Sequence, residues 1–203
     1  MVFHATSLAL RDFRCLVLAT LWVSSPVRGS AQSTPSSTPV KQEISAILAQ
    51  VKRIDAANES PDQSGHHSLN YSHWQFTGLF DHARPRLLNA TFSEGSVVRQ
   101  ETYYLVDDKP VLVKVLRWWD VEDEKKAPEP PVRQEFYIDN GQTIRHTIRV
   151  GSARKPQVSD IPQPAGDFKE RADLISKILL TNSRDPQLAE PLESFSAAEL
   201  PEK

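Results

Sequence analysis

The chain reads as an α+β protein: an N-terminal amphipathic helix, an antiparallel β-sheet meander of five to six strands, and a C-terminal amphipathic helix. Three observations predict this. Apolar residues recur at helical spacing over 39–57 and again over 168–180. Between them, four runs are rich in β-branched and aromatic residues: 97–106, 111–119, 132–138 and 143–150. Turn-forming residues join those runs in pairs, as in hairpins. A helix preceding a curved antiparallel sheet suits a cystatin-like or similar wrap, in which the helix covers the concave face. That is an analogy of fold and carries no activity.

The elements follow in order. Arg11 and Arg14 precede an apolar run, Cys15 to Val23. The run is about nine residues, within the ~7–15 of a signal-peptide core and short of the ~18–20 that span a bilayer. Ser24-Ser25-Pro26 breaks it, and Gly29-Ser30-Ala31 sets small residues before a cleavage point. Residues 1–31 therefore read as a secretory signal peptide, with the mature chain beginning near Gln32. The expected address is periplasmic or extracellular. Cys15 opens the apolar run and does not follow it, which argues against a lipoprotein.

Residues 32–38 (QSTPSST) are polar and read as a flexible tether. Thr38-Pro39 looks like a cap with proline at the first helical position. Val40, Ile44, Ile47, Leu48, Val51 and Ile54 then make one apolar stripe. Asn58 to Asn70 reads as a polar loop. Trp74 to Thr77 and Leu87 to Phe92 are short strand candidates, divided by Arg84-Pro85. Asp107-Asp108-Lys109-Pro110 reads as the turn of the first long hairpin. A turn centred on Asp108-Lys109 puts Val98, Tyr104, Val106, Val111, Val113, Val115 and Trp119 on one face. The other face then holds Arg99, Glu101, Tyr103, Leu105, Leu112, Lys114, Leu116 and Trp118. Val121 to Pro131 is charged, Pro-rich and reads as an exposed loop.

For the second long hairpin, a two-residue Asn140-Gly141 loop pairs Phe136 with Arg145 and mixes polar with apolar residues on both faces. A three-residue loop, Asp139-Asn140-Gly141, pairs Phe136 with Ile144 and Val132 with Ile148. The hydrophobic pattern favours the second. Asp167 to Glu170 fits a capping box opening the last helix, with Phe168, Ala172, Ile175, Ile178 and Leu179 on one face. One domain over 39–180 is expected, followed by a polar, loose tail over 181–203.

Composition narrows the function classes. The formal charge is −2. Removing 1–31 takes away three arginines and one aspartate, so the mature chain stands at −4, and nothing argues for nucleic acid or an anionic membrane as partner. Cleavage also removes the only cysteine. Disulfides, a cysteine nucleophile, thiolate metal ligands and CxxC chemistry are all excluded. No second run is long enough for a membrane span. With seven glycines in all and no G-x-S-x-G or P-loop, no phosphate cradle or nucleophile elbow is expected.

Two groups of residues remain as site candidates. The first is the mixed face of the first hairpin, with Tyr103, Lys114, Leu116, Trp118 and Arg99. It reads as a helix-covered surface, as ordinary aromatic–basic surface packing such as Arg99 over Trp118, or as a binding surface. The second is His66, His67, His73 and His82, close in sequence and beside Asp81. Neutral imidazole ligates zinc, copper and nickel, so the cluster raises a metal-site reading beside that of plain loop histidines. No cofactor is implied. His146 alternates with Ile144 and Ile148 and reads as a core histidine. Three Asn-x-Ser/Thr matches, at Asn58, Asn70 and Asn89, fit the glycosylation pattern.

The segments Tyr103-Tyr104-Leu105-Val106-Asp107-Asp108-Lys109-Pro110-Val111 and Phe136-Tyr137-Ile138-Asp139-Asn140-Gly141-Gln142 look alike: an aromatic pair, an acidic turn, a second strand. Over about 95–150 this resembles small, uncharacterised exported bacterial proteins built on a meander of aromatic-acidic β-hairpins. The resemblance implies a periplasmic or secreted setting and transfers no catalytic residue. The leading expectation is a non-catalytic exported binding module whose partner is a protein or a cell-envelope component. A hydrolase or metal-dependent enzyme using segment 66–82 is the alternative.

Overall fold

The computed structural model describes residues 37–60, 62, 64–119 and 130–193. The expected signal peptide, most of the tether, most of the charged loop and the last ten residues of the expected tail lie outside the described residues. Helix α1 spans Ser37–Asn58, so Pro39, where the helix was expected to open, lies in its first turn. Seven strands then run as a meander: β1 His66–Tyr71, β2 Trp74–Asp81, β3 Arg84–Glu94, β4 Val97–Val106, β5 Lys109–Trp119, β6 Val132–Asp139 and β7 Gln142–Val150. Two short strands, β8 Gln157–Ser159 and β9 Gln163–Pro164, both pair with β7. Helices α2, Phe168–Thr181, and α3, Pro186–Glu193, close the described chain. Every strand pair is antiparallel and all belong to one sheet. Among the described residues, no helix is long and apolar enough to cross a membrane.

The α+β class holds, but five to six strands is too few: the sheet has nine. Strand β1 falls in the expected polar loop. As an edge strand it sends only Leu69 fully into the core, so it shows little apolar alternation. Strands β8 and β9 are three and two residues long, below the length at which a period can be read. Helix α3 falls in the segment expected as loose tail. Pro191 inside it reads as a helix breaker, yet Ala189 and Leu192 are buried.

The hairpin registers also differ from expectation, for one shared reason. Three turns have two central residues, all at positive φ: His82-Ala83, Asp107-Asp108 and Asn140-Gly141. This is the turn geometry whose twist matches the flanking strands. Three positions beyond each turn the outgoing strand carries one extra residue: Arg86, Val111 and Ile144. Each bulge shifts the alternation by one. In the last hairpin it allows the two-residue Asn140-Gly141 turn while keeping Thr143 and Ile144 both buried, and it sets Phe136 opposite His146. In the first long hairpin the turn is Asp107-Asp108 and the expected faces are exchanged in part. Tyr103 joins Val113 and Val115, while Tyr104 joins Leu112. The likeness of 103–111 to 136–142 is therefore structural, and residues 78–86 form a third copy.

These registers place one layer of helix on each face of the sheet. Helices α2 and α3 cover Phe76, Leu88, Ala90, Tyr103, Val113 and Phe136. The α2 stripe, Phe168, Ala172, Ile175, Ile178 and Leu179, is buried as its spacing predicts. The expected capping box is not made, because the Asp167 side chain forms no cap hydrogen bond. The helix ends at Asn182 in the left-handed region, with the Ser183 amide donating to the Ile178 carbonyl. On the opposite face α1 buries Ile44, Ile47, Val51 and Ile54 against Leu79, Leu87, Tyr104, Leu112, Tyr137 and Ile144. Leu48, at the edge of the predicted stripe, stays 39% exposed.

Gly78 is where α2 presses closest on the sheet. A Cβ there would stand 2.8 Å from Phe80 and 3.0 Å from both Leu179 and Leu88. Gly78→Ala should destabilise the fold by about 1–3 kcal/mol, the usual cost of overfilling a packed interior, read as a lower midpoint in chemical denaturation.

Candidate binding face of the sheet

The two faces of the sheet are finished differently. On the α2 face, Glu101 is fully buried on β4. Its carboxylate accepts from Arg171 Nη2 at 2.7 and 3.0 Å and from the Tyr103 hydroxyl at 2.6 Å. Arg99 Nε lies 2.9 Å from the same carboxylate. Both arginines also donate to the Leu192 carbonyl near the end of α3, at 2.5 and 2.9 Å. Two guanidiniums thus share one carboxylate and the negative end of a helix. Burial works against the charge on both arginines. On Arg171 the pull of Glu101 and Tyr103 outweighs it and raises the pKa; on Arg99 burial wins and lowers it. Burial, then Glu101, push the Tyr103 phenol well above its ordinary range. The cluster ties β4, α2 and α3 together.

The α1 face is closed over only part of its area. The cross-strand register lines up rows of side chains. The first row, Leu79, Leu87, Tyr104, Leu112 and Tyr137, lies under α1. Burial and a hydrogen bond to Asp55 of α1 raise the Tyr104 pKa, marking how closely the helix seats there. The next row is polar throughout: Thr77, Asn89, Thr102, Lys114, Glu135 and Thr147, one from each strand β2 to β7. Its members bond along the row. Asn89 Nδ2 donates to Thr77 Oγ1 at 3.2 Å, and the Thr102 hydroxyl donates to Asn89 Oδ1 at 2.9 Å. A third row, Gln75, Thr91, Gln100, Leu116, Arg133 and Arg149, runs beside it. No member of either row is buried, and no described helix covers them. At one end the face dips into a polar hollow of about 300 Å³ lined by Asn70, His73, Gln75, Thr91 and Ser93.

The structure divides the five residues expected to share a surface. Lys114, Leu116 and Trp118 stand on the open face, each half-buried. Lys114 Nζ lies 4.9 Å from the centre of the Tyr104 ring. Tyr103 is on the opposite face and fully buried, bonded to Glu101. Arg99 is there too, 4.6 Å over Phe92 rather than over Trp118. The bulge at Val111 is the reason, since it reverses the alternation that grouped Tyr103 with Lys114. Glu135, Thr102 and Asn89, with Arg133 in the row beside them, escaped sequence reading because the rows appear only once five registers are known.

The four histidines are dispersed. His73 and His82 sit in the turns at opposite ends of β2, roughly 30 Å apart at about 3.4 Å per residue. His66 and His67 are neighbours on one strand and point to opposite faces. His67 packs edge-on against Phe80, and His82 Nδ1 lies 2.7 Å from Asp81. Among the described residues no group of three or more His, Cys, Asp or Glu could hold a metal ion. Comparisons with protein-family models, curated proteins and solved structures returned no match, so the reading rests on the site's own geometry and chemistry.

Two predictions follow from the closed face. Glu101→Gln leaves two buried guanidiniums without their carboxylate and should cost about 3–5 kcal/mol in denaturant unfolding. His146 lies flat on Phe136, ring centres 4.2 Å apart, with Nε2 2.9 Å from the Gln134 side-chain oxygen. The bulge gives it the same face as Ile148 and the opposite face to Ile144. Burial lowers its pKa. The unfolded chain therefore takes up this proton at higher pH than the folded one. The stability so contributed is present above about pH 6.5 and is lost as pH falls through the folded value. His146→Phe should narrow the difference in melting temperature between pH 7.5 and pH 5.5.

Proposed function

We propose that the protein is an exported, non-catalytic binding module, and that the open polar half of the α1 face holds a hydroxyl-rich glycan of the cell envelope. One observation carries this reading: two parallel rows of hydrogen-bonding side chains cross six strands and no described helix covers them. Threonine hydroxyls and Asn or Gln amides each offer both donors and acceptors, which suits a ligand that offers both along its length. They stand on a rigid sheet, so little order is lost on binding. Leu116 within the third row and Trp118 beyond it add apolar area, and Arg133, Arg149 and Lys114 suit acidic substituents on the polymer. A cystatin-like wrap remains part of this reading, supported by α1 lying across one face of the meander. The signal-peptide reading of 1–31 supplies the compartment. For the metal-dependent alternative at segment 66–82, the described residues hold no group of three or more His, Cys, Asp or Glu that could bind a metal ion.

Co-sedimentation with purified peptidoglycan tests the proposal. Trp118→Ala and the pair Thr102→Val/Arg133→Glu should each lower the bound fraction at least fivefold while melting temperature stays near that of the parent. Equal pelleting by parent and variants, or no pelleting by the parent, would argue against the face.

A further inference from the structure

A second concavity lies on the α1 side, at the hairpin ends of β2 to β4, away from the polar rows. It measures about 480 Å³, within the range of small-molecule sites. One wall is a single stripe of α1, with Arg53, Ile54 and Ala57 at helical spacing. Leu79 and Val106 make an apolar floor, while the Phe80 ring turns to the α2 face. Arg86 and Asp81 stand at the other wall, with Arg86 Nη2 donating to Asp81 at 3.0 Å.

Arg86 is the feature to explain. It occupies the bulge of its hairpin, the position held by Val111 and Ile144 in the other two copies. Those two side chains pack into the α1 core. At the third copy a guanidinium replaces the aliphatic group. Bulges commonly aim a side chain at a site, and departures from a local rule concentrate where function requires them. The charge is also unbalanced. Arg86 shares Asp81, which also meets His82, and Arg53 makes no ion pair with another described residue. Two guanidiniums thus flank an apolar floor with one carboxylate, on the Arg86 side, and one negative charge would complete the set.

We propose that this groove binds a single-chain amphiphile of the fatty-acid class, its aliphatic chain on Ile54, Leu79 and Val106 and its carboxylate between Arg53 and Arg86. The inference is independent of the glycan-binding face. A carboxylate and a phosphate monoester offer guanidinium the same acceptor geometry, so the test must separate them.

Isothermal titration of the purified protein with dodecanoate below its micelle concentration tests the assignment, beside dodecanol, acetate and dodecyl phosphate. Dodecanoate should bind at one site per chain, with dodecanol and acetate each at least tenfold weaker. Arg86→Leu, which restores the aliphatic residue of the other copies, should weaken dodecanoate at least tenfold without lowering the melting temperature. Arg53→Gln, on an exposed helix position, should weaken it severalfold. Ala57→Phe should fill the groove and abolish binding, whereas Arg133→Glu on the polar face should change nothing. Undiminished binding by Ala57→Phe or Arg86→Leu would overturn the site. Equal affinity for dodecanol would overturn the role of the guanidiniums. Tighter binding of dodecyl phosphate would overturn the fatty-acid assignment.

Discussion

A carboxylate with no solvent contact holds this fold together. Glu101 sits in the middle of the sheet and cannot stay charged there without partners. Arg171 from α2, Arg99 from its own strand and the Tyr103 hydroxyl supply them. The Leu192 carbonyl then draws α3 into the same network. Hydrophobic burial drives the helices onto the sheet, but it is non-directional. The ion cluster sets where along the strands they come to rest. Because α2 and α3 are committed to that face, α1 is the one described helix on the opposite face, and one helix cannot span two further rows of a seven-strand meander.

That asymmetry organises the functional reading. The closed face uses its polar groups on one another, while the open face uses only some of them, as in the Thr77–Asn89–Thr102 chain. The remaining donors and acceptors point away from the core, on a platform stiffened by pairing on both sides. Its rows arise from hairpins that repeat one device, a two-residue turn followed by a bulge, which keeps neighbouring strands in step. The same device delivers Val111 and Ile144 into the α1 core and Arg86 to the rim of a groove.

How much of this was legible in the sequence depends on whether the signal was local. The stripes of α1 and α2 are local, and Ile44, Ile47, Val51, Phe168 and Ile175 all bury as their spacing requires. The four long strands were visible from their β-branched and aromatic content. Bulges are not visible that way, since an extra residue changes pairing without changing composition. Hence Tyr103 and Arg99 were grouped with Lys114 and Trp118 when they belong to the other face. Edge strands with one core residue, such as β1, and a short helix containing proline, such as α3, carry too little pattern to be read. The Glu101–Arg171 pair spans 70 positions in sequence, and nothing local links them. Of the candidate site, Lys114, Leu116 and Trp118 were found from the strand, and the rest of their rows required the fold.

Hydrogen–deuterium exchange of the protein with and without soluble peptidoglycan fragments tests the division of labour between the faces most directly. The account predicts slowed exchange in β5, β6 and β7 around Leu116, Arg133 and Arg149, with α2 and α3 unchanged. Protection centred on α2 and α3, or none anywhere at saturating fragment, would contradict it.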